Sequence, residues 1–241
     1  MRGRSAGFRT TQTRGTVLVG SLILNAAASL AIIASTVAET AVLRDHLGGA
    51  VIPGGDVAEA IDRSVLLSRI GLGIYVVSGI AWLVWQHRAQ TNLHALRIPS
   101  LQYSPRWAVG WWLIPFANLF KPFQTVRELW KASGPSPGWP SARTWAVIGW
   151  WWAGWIAGIA LARIALSAFS GSQDTLDSFE SFDSLISGNR WLVVGEIVTM
   201  ITAVLAILIV RSVIDRQSAL AAIVDAEPLV PPRPDTPGSW T

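Results

Sequence analysis

The sequence predicts an all-α fold, a multi-pass membrane helical bundle of four spans with a re-entrant or interfacial cytoplasmic segment. Three observations predict it. Only 14% of the 241 residues are charged and 51% are hydrophobic, whereas a soluble domain runs about 25% charged. Four long runs are apolar with at most one charge each, and basic and acidic residues alternate between the segments that join them. This composition excludes an ordinary soluble enzyme and a disordered chain. The net charge of +4 is scattered over short segments, so no nucleic-acid partner is expected. The absence of cysteine excludes disulfides, thiolate metal sites and cysteine nucleophiles. Seventeen of nineteen cations are Arg, a skew that suggests a GC-rich bacterial genome and hence a bacterial plasma membrane.

The runs are residues 16–38, 64–86, 144–169 and 191–210, the last three carrying Arg69, Arg163 and Glu196 respectively. Each meets the roughly 20 residues that a helix needs to cross ~30 Å of hydrocarbon. None contains proline, whereas seven of thirteen prolines lie between Pro99 and Pro140. Only a helix satisfies its own backbone in lipid, so the proline-free runs are the spans. Arg2, Arg4, Arg9 and Arg14 before the first run resemble a signal peptide. The apolar core exceeds the usual ~7–15 residues, however, and an uncleaved helix is expected.

The stretch 107–120 is too short to span and contains Pro115. Together with residues up to 133 it forms an inner-face segment. From Pro122 onward, Phe123, Val126, Leu129 and Trp130 share one helical face and Gln124, Arg127, Glu128 and Lys131 the other. That pattern predicts a helix lying in the headgroup plane.

Charge sets the topology. Segments 1–15, 87–106 and 121–143 are basic, while 39–63 and 170–190 are acidic. The positive-inside rule places both termini and the central segment in the cytoplasm. The domain organisation is then a basic N-terminus (1–15), one membrane domain (16–213), and a helix extension leading into a proline-rich, disordered tail (214–241).

At helical spacing Trp85, Arg88, Ala89, Asn92, Leu93 and Leu96 share one face, and Gln86, Gln90, His94 and Arg97 the opposite, solvent-facing one. Arg88 and Asn92 on an apolar stripe need partners. They either tie down the proline-rich segment through its carbonyls or hold a phosphate or carboxylate at the inner leaflet.

Trp85-Gln86-His87-Arg88-Ala89-Gln90-Thr91-Asn92-Leu93 resembles the WxxRAxxNL element of a bacterial membrane family, "domain of unknown function 4328". So does Ser104-Pro105-Arg106-Trp107-Ala108-Val109-Gly110-Trp111-Trp112-Leu113-Ile114-Pro115-Phe116-Ala117-Asn118-Leu119-Phe120-Lys121-Pro122, followed by Glu128-Leu129-Trp130-Lys131-Ala132-Ser133. The resemblance covers about residues 65–210. It implies a multi-pass helical membrane protein and leaves the activity open.

Pro115-x-x-Asn118-x-x-x-Pro122 can break a helix twice. It is either a bend capped by Asn118 or a broken transport element. Ten of fourteen tryptophans lie between Trp107 and Trp155, loading the inner interface as a headgroup-level platform. Gly154-x-x-x-Gly158-x-x-x-Ala162 offers a small-residue ridge for packing within the chain or between copies. Arg69, Arg163 and Glu196 share a depth of roughly 7–9 Å below the outer boundary. Glu196 is expected to face the interior and pair with Arg163, with Arg69 second. No catalytic motif, metal cluster or cofactor signature appears, so no cofactor and no metal is expected.

The expected function is a non-enzymatic scaffold or regulator whose inner face contacts membrane lipids, a protein partner or a second copy. The alternatives are a small transporter or channel-like element built on Pro115–Pro122, and an enzyme acting on a lipid headgroup.

Overall fold

The computed structural model describes residues 8–49, 54–135, 138–170 and 179–226. Arg2, Arg4, the acidic residues Asp174 and Asp177, and the proline-rich tail from Glu227 lie outside the described residues.

Six α-helices are formed, with no strand among the described residues: α1 (Gln12–Leu47), α2 (Gly54–Ala95), α3 (Pro105–Gly110), α4 (Lys121–Ala132), α5 (Ala146–Ser170) and α6 (Phe179–Ala226). Four of them, α1, α2, α5 and α6, are long and apolar enough to cross a membrane. These are the four expected spans, and the chain is a membrane-spanning all-α bundle. The helices outrun the apolar segments, because polar ends continue a helix as readily as apolar ones once the first turns are formed. Glu39, expected in an acidic loop, therefore belongs to α1, where it is buried.

α1 packs along both α2 and α6, and α6 along α5. The order across the bundle is α2, α1, α6, α5. Residues 8–11, the described parts of the connection between α2 and α5 (96–135 and 138–145) and the end of α6 share one end, called basal below.

Between apolar helices in lipid there is little hydrophobic drive, so close approach and hydrogen bonds set the contacts. Ser78 Oγ donates to the Ser21 carbonyl (3.1 Å) and Ser35 Oγ meets Ser64 Oγ (2.9 Å) between α1 and α2. Asn189 Nδ2 of α6 donates to Glu39 Oε1 (2.9 Å) and Thr40 Oγ1 (3.2 Å) of α1. Large apolar side chains point outward instead, among them Val17, Leu30, Leu72 and Leu166.

The small-residue ridge is used only in part. Gly154 abuts Thr202 of α6, so that a Cβ there would collide with its side chain, whereas a Cβ at Gly158 would meet nothing. Ala162 is exposed. Gly154→Leu is therefore expected to lower stability by about 1–3 kcal/mol, and Gly158→Leu to leave it within about 0.5 kcal/mol. Thermal unfolding of the detergent-solubilised variants measures both.

Candidate functional site

The basal end is where the chain stops being a simple bundle. Ser104 caps α3 by accepting from the Trp107 N–H (3.4 Å), with Pro105 in the first turn where its missing donor costs nothing. A 3-10 turn at Trp111–Leu113 follows, then a reversal at Pro115 and Phe116, a second 3-10 turn at Ala117–Leu119, and α4. Phe116 holds φ +63° with its side chain 84% exposed. A bulky residue with positive φ is strained, and it forms the tip of the hairpin. Pro122 lies in the first turn of α4 and starts that helix instead of breaking it. The expected cap by Asn118 is not made: its backbone N–H donates to the Ile114 carbonyl (2.9 Å), while its buried Oδ1 has no partner among the described residues.

This segment folds back along α2 and α5 without crossing. Trp112 touches the rings of Trp82, Trp151, Trp152 and Trp155 at 5.6–6.4 Å. Trp82 also stacks on Trp151 at 5.0 Å, bridging α2 to α5. Of the expected tryptophan platform, much is this internal cluster, whereas Trp150 is 70% exposed and faces outward.

Amides hold the segment in place. Gln86 Oε1 accepts from the indoles of Trp82 (2.9 Å) and Trp112 (3.0 Å). Its Nε2 donates to the Ala108 carbonyl (3.2 Å) and Thr125 Oγ1 (3.0 Å). Gln90 Nε2 donates to the Tyr103 carbonyl and Glu128 Oε1, both 3.0 Å. Glu128 also accepts from the backbone N–H groups of Gln102 (2.7 Å) and Tyr103 (3.2 Å), through Oε2 and Oε1. Gln86 and Gln90 are fully buried and Glu128 nearly so. The solvent-facing assignment of the two glutamines is thus overturned, as is that of Glu128. His94 and Arg97, further along the second face of α2, are exposed as expected, whereas at Gln86 and Gln90 the segment packs on that face. For the same reason Val126 and Leu129 of α4 are buried against protein and do not rest on the membrane surface.

Asn92 is fully buried as expected, with partners other than 107–133. Its Nδ2 donates to the Arg9 carbonyl (3.0 Å) and Gln217 Oε1 (3.2 Å), and its Oδ1 accepts from the Arg9 N–H (3.4 Å). Gln217 Nε2 of α6 donates to the Ala89 carbonyl (2.9 Å) and Ser133 Oγ (3.3 Å). Arg88 is half-buried, and Arg9 and Arg14 are near enough to act on it electrostatically. Trp130 of α4 donates to Ser212 Oγ (3.0 Å) and lies under the Arg216 guanidinium (4.0 Å).

Two cavities flank α4. An apolar one of about 480 Å³ opens between the hairpin and α5, lined by Leu119, Phe120, Phe123, Gln124, Trp152 and Ile156. A polar one of about 190 Å³ lies nearer the basal surface, with Ser100, Gln124, Arg127 and Lys131 in its wall.

The intramembrane charges do not come together. Leu161 and Ala165 of α5 mark its face toward α6. Arg163, two positions from each and so about 200° around the helix, is exposed. Arg69 stands the same distance from Gly71, which meets Ile32 of α1, and is exposed too. Glu196 is half-buried, and among the described residues it pairs with neither arginine. Shared depth on different helices does not give shared orientation.

The motif residues Trp85, Ala89, Asn92 and Leu93 are all fully buried at the joint between α2, α6 and the N-terminal segment. The sequence profile described as "Domain of unknown function (DUF4328)" matches residues 50–215, most of the chain. The chain belongs to this family. α1 lies outside the matched stretch, while the DUF4328 region contains all of α2 to α5 with Gln86 and Gln90 and ends just before Gln217. No curated protein and no solved structure matches the chain.

Sequence pattern alone missed Gln86, Gln90, Glu128 and Gln217. One signal was present: Trp82, Gln86 and Gln90 recur every four residues, an uncharged amide stripe beside an aromatic. Gln86→Leu is expected to strand two indoles and a buried carbonyl, with a loss of about 1–3 kcal/mol for each group left unpaired, read by thermal unfolding. Asn92→Ala should release residues 8–11 and speed tryptic cleavage at Arg9 while leaving the far-ultraviolet dichroism unchanged.

Proposed function

We propose that this chain is a non-enzymatic scaffold of the bacterial plasma membrane, with both termini and the basal end in the cytoplasm, that engages inner-leaflet lipids through the 107–133 segment. The observation that carries the reading is a rigid mount beneath an apolar tip. Buried amides weld the hairpin to α2, yet Leu113 (75% exposed), Phe116 (84%) and Phe120 (64%) face away from the protein. Exposed apolar groups on a rigid loop beside four membrane-spanning helices suit insertion among acyl chains. Lys121 at its base is held over Trp111 (5.5 Å) and Tyr103 (5.9 Å), where an ammonium belongs at headgroup level. The basic residues of the basal end, Arg97, Arg106, Arg127 and Arg143 among them, favour the cytoplasmic side. Gln86, Asn92 and Glu128 are engaged by structural partners, and among the described residues no nucleophile and base are set against one another, which supports a scaffold over an enzyme.

The native chain has no cysteine, so single labels report cleanly. An impermeant maleimide applied to intact cells should label Asp56→Cys and spare Ser141→Cys; the reverse pattern overturns the orientation. A nitroxide on Phe116→Cys in vesicles should be accessible to oxygen and protected from a water-soluble nickel chelate. Full access to the chelate would sink the lipid-inserted reading.

A further inference from the structure

The two cavities beside α4 share one wall residue, Gln124, and follow one another along the helix. Phe120 and Phe123 line the apolar cavity, Gln124 stands at the junction, and Arg127 and Lys131 line the polar one. Residues spaced by three and four lie on one stripe of a helix, so α4 carries an apolar-to-cationic gradient along a single edge. The apolar end is the one that abuts Trp152 and Ile156 of α5, and the cationic end is nearer the basal surface. That polarity matches a phospholipid in the basal leaflet, tail inward and phosphate outward.

We propose that this edge is a binding site for one anionic phospholipid, its acyl chain in the 480 Å³ cavity and its phosphate between Arg127 and Lys131. The proposal rests on the lipid-contacting reading above and names the ligand class for it. The apolar volume falls within the roughly 300–1,000 Å³ of ordinary ligand pockets. The charge is complementary. Of the ionisable groups in the polar wall, Glu128 is occupied by the Gln102 and Tyr103 N–H groups and Gln90. Arg127 is exposed and Lys131 half-exposed, its Nζ donating to the Pro140 carbonyl at 3.4 Å. Gln124 is itself oriented, its Oε1 accepting from Tyr103 Oη (2.7 Å) and Lys121 Nζ (3.4 Å). The junction therefore presents a fixed polar step between tail and head, with a third cation beside it. Basic pockets between membrane helices on the cytoplasmic side are suited to such headgroups.

Native mass spectrometry of the detergent-solubilised full chain, titrated with phosphatidylglycerol, phosphatidylcholine and inorganic phosphate, tests it. The expected result is one phosphatidylglycerol retained per chain in preference to phosphatidylcholine, with no competition from inorganic phosphate. Replacing both cations (Arg127→Gln with Lys131→Gln) should weaken phosphatidylglycerol binding about 30-fold, from ~1 kcal/mol per cation at a membrane surface. Ile156→Trp should fill the apolar cavity and weaken both phospholipids alike. Phosphatidylglycerol binding unchanged in both variants overturns the site, as does inorganic phosphate competing on equal terms, which would make it a free-phosphate pocket. The spin label at Phe116→Cys separates this failure from the broader one: a tip buried in lipid with no discrete bound lipid removes the site and leaves the scaffold reading standing.

Discussion

A polar group buried at the end of a membrane helix must find a partner, and α2 presents three amides there. Gln86 holds the α3 carbonyl and the first turns of α4, Gln90 holds the 102–103 backbone through Glu128, and Asn92 holds the N-terminal segment and α6. The 96–133 stretch has prolines, 3-10 turns and a strained Phe116 in place of a long helix, so it lacks a regular backbone ladder of its own. Side-chain amides substitute for that ladder. Each is fixed by two or more bonds, and loss of any one leaves donors or acceptors in a site closed to water, where the penalty is larger than the net gain of the bond itself.

The rest of the bundle obeys a different economy of contacts. Along the spans, serines, glycines and threonines bring backbones close, and few bonds cross between helices. Interhelical hydrogen bonds of this kind contribute only about 0.6 kcal/mol on average, with packing supplying the rest. At the end opposite the amides, buried Glu39 and Asn189 tie α1 to α6. Polar ties thus sit at both ends of the span, and the middle is close-packed small residues. The joint at the basal end is the denser of the two, since aromatic stacking of Trp82, Trp112 and Trp151 surrounds the same amides.

α4 shows how one helix serves two surroundings. Its strongly two-faced pattern suits either a membrane surface or a protein groove, because both reward an apolar stripe. The groove wins here: Val126, Leu129 and Ala132 are enclosed by protein, and Trp130 is fastened to α6 by Ser212 and Arg216. What remains uncovered is the edge between the two faces and the hairpin that precedes it.

The four spans and the fold class were legible in composition and hydropathy alone, because crossing hydrocarbon imposes a length and a charge limit that few other structures meet. The short stretch broken by Pro115 was legible for the same reason, being too brief to cross. The family followed from the runs around Asn92 and Pro115. Burial at the basal end was decided only by tertiary structure. A helical wheel assigns Gln86 and Gln90 to the face opposite Trp85, and solvent to that face, on the premise that one side of a helix end is free. Here α6 covers one side and α3 with α4 the other as far as Gln90, so Gln86 and Gln90 are interior while His94 and Arg97 beyond them stay exposed. Orientation of the lone charges was likewise beyond the sequence. Arg69, Arg163 and Glu196 match in depth, but depth depends on position along a helix, whereas pairing depends on its rotation about its own axis, and rotation is set by where Gly71, Leu161 and Ala165 find their neighbours.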